Sequence, residues 1–78
     1  MHEKVHIGKM IHDKLREDRR SVSWLADQLH CDRSNVYRIF RTYHIDTEQL
    51  MRISIILGFD FFEAYSVCLK ADKANRQL

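Results

Sequence analysis

The chain has 78 residues, 45% of them apolar and 31% charged, and a formal net charge of +2. This length allows one domain with one modest core, and the composition excludes a disordered chain. With no proline and only two glycines, Gly8 and Gly58, it lacks the turn punctuation that a β-rich domain of this size needs, so an all-α fold is expected.

The first pattern met is "HEKVH" at residues 2–6, a match to H-E-x-x-H, with His12 a further six residues on. In metallopeptidases the two histidines of this pattern sit one helical turn apart and bind zinc, while the glutamate acts on the metal-bound water. Here the pattern lies at the start of helix 1, expected over residues 6–18 from the recurrence of Ile7, Met10, Ile11 and Leu15. Nothing before His2 but Met1 would hold that turn. On a continuous helix His12 would lie about 280° around the axis from His2. A chain this short also has little wall for a substrate cleft. Zinc peptidase is therefore a remote alternative, and no metal, cofactor or small-molecule substrate is expected.

Ser21 is the expected N-cap of helix 2, over 22–29, with Val22, Leu25, Ala26 and Leu29 inward. After "HCD", Asp32 is placed to cap helix 3, its carboxylate accepting from the N–H of Ser34 or Asn35, with Val36, Ile39, Phe40 and Tyr43 as the apolar stripe. Trp24 is expected to be partly buried. Asp46 or Thr47 would cap helix 4, which turns Leu50, Ile53, Ile56 and Leu57 inward and ends at Gly58. Asp60 and Glu63 form a D-x-x-E box opening helix 5, which carries Phe61, Phe62, Tyr65, Cys68 and Leu69. The domain is thus expected over 1–70, with 71–78, "ADKANRQL", as a fraying tail.

No apolar run approaches the roughly 20 residues of a membrane span, and no basic segment followed by an apolar one marks a signal peptide. Cys31 and Cys68 are isolated and read as reduced core thiols of a cytoplasmic protein, a single disulfide being the alternative. Cys31 beside His30 raises thiol chemistry, but an apolar filler of the turn is the simpler role. Ser21, Ser23, Ser34 and His30 lack a nucleophile elbow, and no enzyme is expected.

Between Arg33 and His44 stand three arginines, two tyrosines and a histidine without one carboxylate, in a chain with eleven acids. That points to an anionic partner. Two short helices separated by three residues, with the small Ala26 in the first, form a helix-turn-helix arrangement. The stretch "IGKMIHDKLREDRRSVSWLADQLHCDRSNVYRIFR" and the following "DTEQLMRISIILGFDFFEAY" resemble, in that order, the Cro/C1-type phage-repressor family (XRE), over roughly residues 7–65. Two departures stand out: His30 replaces the usual glycine after helix 2, and Val22 or Ser23 stands where a glutamine often braces helix 3.

The resemblance implies a lambda-repressor-like domain, a sequence-specific DNA-binding transcriptional regulator, expected to be a repressor. Helix 3 would enter the major groove of double-stranded DNA. With Val36, Ile39 and Phe40 inward, Arg33, Ser34 and Arg38 become the main base readers, with Asn35 and Tyr37 as partners. Ser21 and Ser23 at the start of helix 2, and Arg41, Thr42, Tyr43 and His44 after helix 3, would contact phosphates. A homodimer on DNA is expected through Phe61, Phe62, Tyr65 and Leu69. The competing class is a protein-interaction module, such as an antitoxin or regulator partner, using the same apolar surface.

Overall fold

The computed structural model describes residues 5–76. His2 and Glu3 of the H-E-x-x-H stretch, and residues 77–78, lie outside the described residues. The fold is all-α, with five helices: α1 (Ile7–Glu17), α2 (Val22–Leu29), α3 (Arg33–Phe40), α4 (Thr47–Leu57) and α5 (Phe62–Arg76).

Each start can be traced to a side chain or a backbone turn. Ser21 Oγ accepts from the Trp24 N–H at 3.0 Å, Asp46 Oδ1 from Gln49 at 2.8 Å, and Asp60 Oδ1 from Phe62 at 3.0 Å. At α1 the cap is His6, whose Nδ1 accepts from the Lys9 N–H at 3.1 Å. Asp32 departs from expectation: its exposed carboxylate makes no capping bond, and the start of α3 is closed by its backbone carbonyl, which accepts from Asn35 and Val36.

Three helices end in one way. Arg19, His30 and Gly58 take the left-handed conformation, with φ of 57°, 56° and 60°. After each, an N–H returns to a carbonyl five residues back: Arg20 to Leu15, Cys31 to Ala26 and Phe59 to Ser54, all at 3.0 Å. This is the Schellman closure, which satisfies carbonyls the helix end leaves open. Glycine serves only the third. The His30 turn keeps its form without glycine, as histidine bears positive φ better than most residues.

The core is one cluster. Ile7, Ile11 and Leu15 of α1 meet Leu25, Ala26 and Leu29 of α2, Val36, Ile39 and Phe40 of α3, and Leu50, Ile53 and Leu57 of α4. These are the stripes expected from helical spacing, with Met10, Val22 and Ile56 only half-buried. Tyr43 is not part of the α3 stripe: the helix stops at Phe40 and Tyr43 is exposed. Phe61 also moves. It lies before α5, in the turn closed by its N–H to the Phe59 carbonyl, and is fully buried, so it belongs to the core and not to a dimer surface. Residues 71–76 continue α5 instead of fraying, as their alanines and long side chains favour helix and no glycine or proline interrupts them. Cys31 is a half-buried free thiol that packs against the core.

The tightest contact joins α1 to the end of α3. A Cβ built on Gly8 would stand 2.2 Å from the Ile39 carbonyl oxygen and 2.6 Å from that of Phe40. The Gly8 N–H donates to the Thr42 carbonyl at 3.0 Å. On either side, the His6 ring lies 4.0 Å from Tyr43 and the His12 ring stacks on Phe40 at 4.2 Å. Gly8→Ala sets a helix-propensity gain of about 1 kcal/mol against a backbone clash of the kind that costs about 1–3 kcal/mol or more. The clash wins, because its partners are backbone atoms that cannot rotate away. Urea unfolding of Gly8→Ala should show a net loss of about 2 kcal/mol; equal or greater stability would show that the two helices separate freely.

Candidate nucleic-acid interface

The face of α3 away from the core is built by the burial of Val36, Ile39 and Phe40. With those three inward, Arg33, Ser34, Tyr37 and Arg38 are exposed and Asn35 is half-buried at the edge. The expected base-reading residues therefore share one surface. Tyr37 is half exposed and meets Phe40 edge-on at 6.0 Å, so the core side holds its ring while its hydroxyl end stays free. Arg38 Nη2 donates to Asn35 Oδ1.

The charges on this face differ from those elsewhere. On α1, Lys14 lies 3.2 Å from Asp18 and 3.5 Å from Glu17, and Arg16 lies 3.6 Å from Asp13. The hydrogen bond to Asp18, and then the two nearby carboxylates, raise the Lys14 pKa above the ordinary lysine value. On α4, Arg52 pairs with Glu48 at 3.6 Å. Arg20 lies over the Trp24 ring, 4.5 Å from its centroid, which shields the half-buried indole. Among the described residues no carboxylate pairs with Arg33, Arg38 or Arg41. These three arginines are unpaired on and just after α3, as are Lys9, Arg19 and Lys70 elsewhere among the described residues.

The expected phosphate contacts fall into separate groups. Ser21 and Ser23 are exposed at the start of α2, with the Ser21 oxygen already accepting from Trp24. Arg41 and His44 are exposed beyond α3. Thr42 is occupied locally: its hydroxyl accepts from the His44 N–H at 3.1 Å and donates to the His44 carbonyl. It shapes the bend after α3 and holds His44 in place. Tyr43 turns toward α1 and packs on His6. Arg38, Thr42 and His44 meet in a shallow cleft of about 230 Å³ with Gln49 and Asp46. Neither Gln49 nor Asp46 is among the site residues expected from the sequence. Only the Asp46 cap was legible there, since the cleft forms through the reversal of the chain between α3 and α4.

The H-E-x-x-H reading finds its second histidine engaged at the α1 cap and against Tyr43, and His12 stacked on Phe40. Among the described residues no group of three or more histidine, cysteine, aspartate or glutamate side chains is placed to hold a metal ion. No described helix is long and apolar enough to cross a membrane.

A second surface is apolar. His44, Ile45, Thr47, Leu50, Phe62 and Tyr65 line a groove of about 340 Å³ beside α5. Desolvation there raises the Tyr65 pKa above the ordinary tyrosine value. Of the expected dimer residues, Phe62 is half-buried against the core, while Tyr65 and Leu69 are exposed.

In comparison with known proteins, no family model, no curated protein and no solved structure matches the chain.

The orientation of α3 relative to α2 rests on the left-handed His30. For a residue with a Cβ that conformation costs about 1–2 kcal/mol, against roughly 0.5–1 kcal/mol of extra unfolded-chain entropy for glycine. His30→Gly should therefore raise the melting temperature by a few degrees and leave any nucleic-acid affinity unchanged. Thermal denaturation followed by circular dichroism checks this; a lower melting temperature would mean that the histidine ring contributes packing that outweighs the backbone strain.

Proposed function

We propose that this chain is a sequence-specific duplex-DNA-binding regulator of the Cro/C1 type that its sequence resembles, acting as a repressor with α3 in the major groove. The observation that carries the reading is the solvent face of α3: Arg33, Ser34, Tyr37 and Arg38 exposed together over a fully apolar back, with its arginines free of acids. Arginine offers paired N–H donors to guanine, and arginines not paired to acids attract the phosphate backbone. Arg41 and His44 on one side, and Ser21 and Ser23 at the start of α2 on the other, would hold that backbone while α3 reads the bases.

Selection of bound sequences from a random duplex library tests this directly. Enrichment of a defined motif is expected. Arg38→Ala should relax the preference at one base pair, at a cost of about 1–3 kcal/mol. Arg41→Ala should instead weaken all sequences alike and reduce the salt slope of binding by about one unit. Uniform loss in both variants would refute the division between base and phosphate contacts.

Two copies on a two-fold symmetric operator follow from the small reach of one recognition helix, which alone reads too few base pairs to compete with non-specific sites. Phe62, Tyr65 and Leu69 supply the contact in this arrangement, and half-site centres should lie about 34 Å apart. A footprint across protein concentrations checks this; full affinity for a single half-site bound by one copy would refute it. A second reading, an interaction module, is favoured by the exposure of Met51, Ile55, Val67 and Leu69 on α4 and α5. It becomes the better account if no DNA motif is enriched.

A further inference from the structure

We propose that Asn35 and Arg38 act as one reading unit that selects guanine, with Asn35 as a positioning residue and not an independent reader of adenine. This rests on the DNA-binding reading above and goes beyond it by naming the base. Asparagine alone on a recognition helix pairs with adenine, giving its amide N–H to N7 and accepting from the N6 amino group through its oxygen. In this fold the oxygen is engaged: Asn35 Oδ1 accepts from Arg38 Nη2. Only the carbonyl end of the amide can face the arginine, because guanidinium has donors and no acceptor. What Asn35 turns outward is therefore its own N–H2 group.

The pair then presents donors alone. Arg38 gives one N–H to Asn35 and keeps a fork of two parallel N–H groups, since guanidinium carries five. Guanine offers two acceptors in the major groove, N7 and O6; adenine replaces O6 with an amino donor. That donor would meet a cation and an amide N–H, with no acceptor free to receive it. The oxygens of Ser34 and Tyr37 on the exposed face, and the exposed Asp32 carboxylate at its N-cap, can accept, but none belongs to the pair.

The half-burial of Asn35 and the exposure of Arg38 fit these roles. Asn35 is partly fixed by the helix and its neighbours, whereas the long arginine needs an anchor to be held in one rotamer before DNA arrives. Pre-ordering of this kind limits the entropy lost on binding.

The test is library selection with five forms of the protein: wild type, Arg38→Ala, Asn35→Ala, Asn35→Asp and the Asn35→Ala/Arg38→Ala double variant. Wild type should enrich guanine at the position where Arg38→Ala loses its preference. Asn35→Ala should lose preference at that same position by about tenfold, and the double alanine variant should be no worse there than Arg38→Ala. Asn35→Asp should restore the guanine preference, because its carboxylate also accepts from Arg38, while weakening binding to every sequence several-fold through repulsion from phosphate. A general structural defect would not be repaired at one base position by this variant. If Asn35→Ala instead relaxes a separate adenine position and its effect adds to that of Arg38→Ala, the pairing is overturned and the DNA-binding reading stands. If wild type enriches no motif, both are overturned.

Discussion

At Gly8 the first turn of α1 lies on the carbonyls that end α3, and the approach leaves no room for a side chain. Two sets of open backbone groups meet there. The Gly8 N–H is one of the donors that the start of α1 cannot satisfy internally, and the Thr42 carbonyl stands just beyond α3. Their bond also sets the positive end of one helix dipole against the negative end of another. His6 on Tyr43 and His12 on Phe40 extend the contact along both helices. The direction in which α3 leaves the core follows from it, and so does the surface that α3 shows to solvent. Its other end is held by the left-handed turn at His30 and the Cys31 bond to Ala26. The exposed face of α3 is thus held at both ends by residues that lie outside it.

Charge is arranged with the same separation. The basic residues Lys14, Arg16 and Arg52 lie beside acids one helical turn away. Such exposed pairs add little stability, but they remove local fields. On α3 nothing does so. For a polyanion, the partner proposed above, the modest net charge of +2 says less than where that charge lies. Field direction, more than total charge, sets where it docks and how fast it arrives.

The helices were legible because their apolar positions recur at helical spacing and because Ser21 and Asp46 precede those stripes. Tyr43 was misplaced because it continues the spacing of Ile39 and Phe40, while the hydroxyl of Thr42 closes a bend that period alone does not reveal. "FDFF" contains three aromatic residues in four, and which one turns inward depends on the turn between α4 and α5; Phe61 does, and Phe59 packs edge-on against it. Asp32 has the residue type of a cap without the bond, since an exposed carboxylate can be hydrated instead of capping. Gly8 was visible as a glycine inside a helix, but the carbonyls it meets lie more than thirty residues later in the chain. The exposed face of α3 followed from its buried stripe. The bond within that face did not, because two polar residues three apart on a helix can pair or not according to rotamer.

That bond bears on why residue 35 is an amide. An acid there would hold Arg38 more strongly, since charge-assisted pairs exceed neutral ones. In the proposed complex it would also cancel part of the field that attracts phosphate and set a negative charge against the DNA. An apolar residue would leave the guanidinium to sample many rotamers and raise the entropy lost on binding. The amide orients Arg38 through a dipole and leaves its charge intact. Arg41, three residues further along, adds a like charge whose repulsion costs a few tenths of a kcal/mol, which phosphate in the proposed complex would relieve. The fold therefore carries a small electrostatic penalty on α3 that the proposed binding would remove. The packed Gly8 contact and the apolar back of α3 lie apart from that face and do not weaken with it.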